Sequence, residues 1–530
     1  MNRSIIFFFL LLSITACKED HTSIKGIWVG TANVEPFPEF IKLNYDSIPH
    51  IRLYFNEVSQ ETIIDFDGKN ASFSVDEGML GLYEGQLDND TLKGSFLLDR
   101  KKNYDCNLIR VSPNSLGEVS QLIGFYHVAP NRVIEVLPYP IDADLVALRI
   151  LDHMTGKQRV AFPMAPNRYV AGPSMLNPFP QELSFTVVGS DNNQVPGIEY
   201  RDGSESYRAK RMEDIANYED FKVKNGEVEL SCTITFPSGD GPFPLVVHVP
   251  RAGEITQADA FDNHLRLLPW NNVAVLRYDK RGTGESTGNL ETAAFDDLAN
   301  DLLAIIKHAK QNPKIVSDKI GVSGLDYASK SMFIAAAKSK EIKFVISLGS
   351  SALNMEESEL LACAQRMEMD GFDAQQVNEA LNYQKSMFKY FRGEIDSLAF
   401  QTLSDEAKQQ KWNTYVTLFD NKKYINQWRI RHHYDPIPYL KKIEVPLLLA
   451  YGENDLIAPP KYNFPVIKKV FENSKTPHNQ LIVYPNANHQ FILGETRGDF
   501  QFTEIKGYAP GFFQKVHSWI LERFELKNTL

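Results

Sequence analysis

Arg277-Tyr278-Asp279-Lys280-Arg281-Gly282-Thr283-Gly284-Glu285-Ser286 follows directly on the apolar run Val273-Ala274-Val275-Leu276. A strand here runs straight into a turn, and the turn's two glycines permit a tight, positive-φ backbone. Outward from this point the texture repeats. Leu245–Val249 precedes the turn, and Lys319–Ser323, Phe344–Leu348, Pro446–Ala450 and Leu481–Tyr484 follow it as strand-like runs. Between them Phe295, Leu298, Leu302 and Ile305 recur at helical spacing. Strands that alternate with helices predict a doubly wound, mostly parallel sheet of the α/β class. Residues 354–435 are helical, charged and Met-rich with no strand pattern, so a helical cap inserted above the strand ends is expected.

The chain ahead of this region reads differently. Residues 22–112 alternate polar and apolar in short runs such as Ala71-Ser72-Phe73-Ser74-Val75, the pattern of an antiparallel β module. Residues 118–211 form a second β-rich stretch, with Val133–Leu137 and Ser184–Val188 as strands. The two open alike, on Gly26-Ile27-Trp28 and Gly124-Phe125-Tyr126, a hint of related modules. A polar, charged run near 202–220 marks a boundary, and the α/β domain is expected from 214 to 530, able to fold by itself.

Of 530 residues, 43% are apolar and 23% charged, enough apolar content for a large core. The net charge of −11 argues against nucleic acid as a partner, because phosphate binding needs clustered Lys and Arg. Four cysteines, at 17, 106, 232 and 363, include no Cys-x-x-Cys or Cys/His cluster, so no zinc site is indicated, and no organic cofactor either.

Residues 277–286 resemble the D-x-R-G-x-G-x-S turn of α/β-hydrolases. The resemblance covers roughly 221–528 and looks closest to the serine-aminopeptidase-like esterases and peptidases that carry β modules ahead of the hydrolase domain. It implies a triad acid after a late strand and a histidine in the next strand-to-helix loop, and Asp455 and His489 match both places. The acid would orient the imidazole and stabilise its protonated form. A small-molecule or peptide substrate follows.

Two places depart from the family. The nucleophile elbow G-x-S-x-G falls on Gly324-Leu325-Asp326-Tyr327-Ala328, with Asp326 at the nucleophile. Moving the register to Ser323 shortens the strand and puts Leu325 where a small residue is needed. The oxyanion loop has Pro250-Arg251-Ala252-Gly253 where the family has His-Gly, leaving Tyr327 and Arg251 as oxyanion candidates. Three readings stay open. Asp326 is a nucleophile, as in epoxide hydrolases and haloalkane dehalogenases of this fold. Alternatively the fold binds without turnover, with Asp326 capping the next helix or paired with Arg251. Or an ester or peptide hydrolase uses an unusual arrangement. In the cap, Trp412 and Tyr415 lie three apart, a spacing more often found in a core than in a pocket.

The first twenty residues read as an address. Arg3 gives a positive start, Ile5–Leu12 a short apolar run, and Ile14-Thr15-Ala16-Cys17 resembles the lipobox of bacterial lipoproteins. That resemblance implies removal of residues 1–16, lipidation at Cys17 and a place in the cell envelope, at the outer membrane, with contact to membrane only through the lipid anchor. Lys18-Glu19-Asp20 looks like the export tag of surface lipoproteins.

Overall fold

The computed structural model describes residues 23–530 apart from 33–38, 47, 55–57, 76–80, 99–101, 189–196, 216, 260–262, 475, 477 and 494–504. Cys17 lies outside the described residues. The chain divides into two compact units: residues 1–113 with two short returns at 164–166 and 177–179, and the remainder.

The first unit is built on an antiparallel sheet of nine described strands, from Gly26–Ala32 to Lys102–Val111. Alternation decides which face is inward: Ala71, Phe73 and Val75 are buried while Asn70 is exposed. Trp28, Phe73, Tyr83 and Phe96 fill its core.

The second unit opens with a closed eight-stranded barrel, Gly124–Ala129 to Glu205–Arg211. Pairing of Tyr126 with Arg211 and of His127 with Lys210 closes it, which removes both sheet edges. The matching openings noticed in the sequence share a local arrangement. Gly26 and Gly124 have φ of 125° and 147°. Trp28 Nε1 donates to Ile24 O at 2.8 Å, and Tyr126 Oη donates to Leu122 O at 2.9 Å, each four residues back. The sheets that follow have different topologies.

The α/β sheet comes next. The hairpin Tyr218–Asn225 and Val228–Thr235 pairs antiparallel onto Ala274–Tyr278. From there the sheet is parallel, in the order Ala274–Tyr278, Phe243–Val249, Ile315–Leu325, Val345–Leu348, Leu447–Gly452, Gln480–Tyr484. Strands buried on both faces read as unbroken apolar runs, and Phe243–Val249 is buried at every position. Between Val345–Leu348 and Leu447–Gly452 the helices Met355–Met369, Ala374–Phe391, Ser397–Ala407 and Lys422–Arg431 form the expected cap. Trp412 is buried in the cap core, its indole 6.1 Å from the Tyr383 ring.

The charged run near 212 marks a change of architecture within one compact unit. Leu151 of the barrel belongs to the same buried cluster as Phe512, Phe513 and Val516 of the C-terminal helix. Glu135, fully buried in the barrel, forms an ion pair with Arg266 Nη2 at 2.7 Å and lies 3.2 Å from His153 Nε2. Tyr508 N donates to Gly156 O at 2.7 Å. The expectation that residues from 214 onward fold alone is therefore corrected: removing the barrel would strip part of their core and leave Arg266 without its carboxylate.

Candidate active site

The glycine turn after the strand Ala274–Tyr278 acts as a buttress. Asp279, buried, accepts from Gln257 N at 2.7 Å and from Glu285 N at 2.9 Å. Ser286 Oγ donates to Asp279 O at 2.8 Å, and Arg281 grips Asp301 with two bonds of 2.7 Å. A Cβ on Gly284 would fall 2.2 Å from Asp279 Oδ2, so only glycine lets the turn close on the carboxylate. Lys280 is turned inward instead. Its Nζ donates to the carbonyls of Arg251 and Gly253, 2.6 Å for the latter. A trans peptide sets its C=O and N–H on opposite sides, so these bonds fix which way the Ala252 and Glu254 N–H groups face.

The strand Ile315–Leu325 ends in the elbow. Asp326 has φ of +53°, a left-handed conformation held by its N–H donating to Leu348 O at 2.8 Å. A Cβ on Gly324 would lie 2.4 Å from Ala328 Cβ and 2.8 Å from Val249 O, which sets the elbow register through Gly324. Asp326 faces the cavity beneath the cap. Its two non-catalytic roles are not found. The helix Ala328–Lys338 has no side-chain cap; Ser329 N and Oγ both bond the Asp326 main-chain carbonyl. Among the described residues Arg251 makes no ion pair with Asp326 or any other carboxylate.

Asp455 and His489 come together as the sequence order implies. His489 Nδ1 is 2.9 Å from Asp455 Oδ2, while Asp455 Oδ1 accepts from Ile457 N at 2.8 Å and Ala458 N at 2.7 Å. The loop carrying His489 rests on Gly452, where a Cβ would be 2.1 Å from Asn488 O. Burial disfavours a charged His489, but Asp455 and then Asp326 outweigh it and raise its pKa to about 9. Both carboxylates thus favour the protonated imidazole, Asp455 through its 2.9 Å contact and Asp326 through its charge.

Of the oxyanion candidates, Tyr327 N–H has no acceptor among the described residues and follows the nucleophile position directly. The Arg251 side chain lines the cavity. Ser323 is not at the site: it is fully buried and 2.8 Å from His264 Nε2. Ser329 and Ser331 sit in the helix, bonded to the carbonyls of Asp326 and Ala328.

Residues the sequence reading passed over complete the surroundings. Burial pushes Lys280 down to about 8, aided by Arg431 and Arg251. Glu359 of the cap is held above the usual carboxylate range by burial and by Asp326, against Arg366. Lys330 is buried with its Nζ over the Tyr327 ring at 4.7 Å.

A parallel sheet under a helical cap, with a strand-to-helix elbow and an Asp–His pair in the loops after later strands, defines an α/β-hydrolase. The model of the X-Pro dipeptidyl-peptidase family (S15) matches residues 225–490, half of the chain, and the chain belongs to that family. It is a hydrolase of the class that acts on esters or peptides. Esterase EstD of Thermotoga maritima is 25% identical over 323 residues, 59% of this chain and 70% of that protein. Among solved structures, the chain is similar to Est1E from Butyrivibrio proteoclasticus, bound to ferulic acid, at 17% identity and a TM-score of 0.36 over 57% of this chain and 99% of that one. It is also similar to the Pyrococcus furiosus esterase Pf2001, at 16% identity and a TM-score of 0.36 over 58% and 90%.

Proposed function

We propose that this hydrolase works through Asp326 in place of the family's serine. The observation that carries the reading is the elbow itself: a left-handed Asp326 on the cavity wall that, among the described residues, is used neither as a side-chain cap nor as an ion-pair partner, and whose charge favours protonated His489. The Asp326 carboxylate attacks a saturated electrophilic carbon, such as that of an epoxide, an alkyl halide or the alkoxy carbon of an ester, without needing a general base; that carbon's bond to its leaving group breaks and an aspartyl ester forms. His489 gives its proton to the leaving group. Esterified Asp326 no longer carries charge, so one of the two carboxylates that hold His489 protonated is gone. The now neutral imidazole, oriented by Asp455, takes a proton from water as the water attacks Asp326 Cγ. The ester breaks, the alcohol leaves, and both the carboxylate and the imidazolium are restored. Tyr327 N–H is placed to support the oxyanion that forms on Asp326.

A single turnover in 18O-labelled water tests this route. Label in the Asp326 side chain is expected. Label only in the released product, with none in the Asp326 peptide, would overturn it.

The mature protein is further proposed to be anchored to the cell envelope, at the outer membrane, through lipid on Cys17. The apolar run ending in Ile-Thr-Ala-Cys supports this. Among the described residues, no helix is long and apolar enough to cross a membrane.

A further inference from the structure

The cavity beneath the cap, about 480 Å³, is lined by Arg251, Lys280, Arg366 and Arg431, against Asp326 and Glu359. Lys423 and Glu254 also reach its wall but neutralise each other in an ion pair. Arg431 is the telling member. It is 7% exposed, and its Nε and Nη2 donate to the main-chain carbonyls of Ala293 and Leu290 at 2.9 and 2.8 Å. Its remaining terminal nitrogen has no acceptor among the described residues, and no carboxylate pairs with it, with Arg251 or with Arg366. Arg251 Nε is buried without a hydrogen-bond partner. A guanidinium buried without a counter-charge costs about 3–5 kcal/mol, so Arg431 does not hold this place for stability. Lys280 is lowered first by burial and then by the charges of Arg431 and Arg251. Apolar walls from Leu290, Phe295, Met355 and Trp428 complete the space.

We infer that this cavity takes a substrate with an apolar body and a carboxylate, which the unpaired guanidinium groups of Arg251 and Arg431 bind. A planar carboxylate matches the two-pronged geometry of a guanidinium. The inference rests on the reading of this cavity as the substrate pocket, and it names the substrate's charge.

Binding without turnover tests it, so that failure of the nucleophile and failure of anion recognition are told apart. Full-length Asp326→Asn protein is titrated calorimetrically with 4-phenylbutyrate and with its neutral isostere 4-phenylbutanamide. The acid should bind at least about tenfold more tightly, as charge-assisted bonds would give. Adding Arg251→Gln should shrink that preference to within about threefold while the amide's affinity holds. Arg431→Lys, which keeps a charge but not the fork, should reduce the preference as well. Equal affinities, no binding of either probe, or a preference that survives both arginine changes would overturn the inference.

Discussion

A side chain on Gly349 would place its Cβ 2.9 Å from His489 Cε1 and 3.0 Å from Nδ1. Gly349 has φ of +59° and its N–H donates to Ala450 O at 2.8 Å, so the imidazole lies directly on its backbone. Gly349→Ala should therefore do two things. It should destabilise the fold by about 1–2 kcal/mol through the left-handed backbone alone. It should also displace the imidazole and lower turnover by about tenfold or more, since small misplacements are costly in catalysis. Denaturant unfolding and steady-state kinetics on the same variant check both, and turnover equal to wild type would contradict the placement of His489.

The raised pKa of His489 has a signed consequence. Its folded value of about 9 lies above the ordinary 6.5, so folding is favoured by the charged form. That stability is fully present below about pH 6.5 and is lost as pH rises through about 9, with a ceiling of roughly 3 kcal/mol. NMR titration of the His489 ring should find its midpoint well above 7, and Asp326→Asn should lower it. Activity on substrates with poor leaving groups should fall as pH passes about 9, because the proton donor is lost. A midpoint below 7 would remove the general-acid step.

Much of this site was legible in the chain. Gly324 matches the first glycine of the elbow pattern, which put Asp326 at the nucleophile place of that pattern, and in the fold no Cβ fits at Gly324 between Val249 O and Ala328. Asp455 and His489 were readable because each lies in the loop after an apolar strand run. Lys280 and Arg431 were not. One sits inside a glycine turn and the other in the charged run Arg429-Ile430-Arg431, and charged side chains usually face water. Only the tertiary fold turns both toward the cavity. Barrel closure was equally hidden, since Tyr126 and Arg211 are 85 residues apart and either strand by itself reads as an ordinary sheet member.

Asp326→Ser should turn the site into a serine triad. Removing the second carboxylate lowers the pKa of His489, so that it serves as base to a hydroxyl at position 326, with Asp455 and Tyr327 N–H already in place. An organophosphonate probe should then label position 326, while wild type stays unlabelled there. Hydrolysis of simple acyl esters should exceed that of Asp326→Ala by about a hundredfold, a typical gain from a working nucleophile and base. Absence of label in a folded variant would show that His489 does not face position 326.

Cys17→Ala should release the protein from membrane fractions or block removal of residues 1–16. Fractionation with mass analysis of the N-terminus measures it. Unchanged membrane association and unchanged N-terminal mass would rule out the anchor.

The covalent step itself is the most direct test. His489→Ala keeps the attacking carboxylate but removes the base that frees it, so with an epoxide or alkyl halide library it should react once and stop. Intact mass should rise by one substrate fragment, and peptide mapping should place that mass on Asp326, while wild type turns the same compound over without accumulating it. No adduct on Asp326 from any electrophile that wild type hydrolyses would contradict the account.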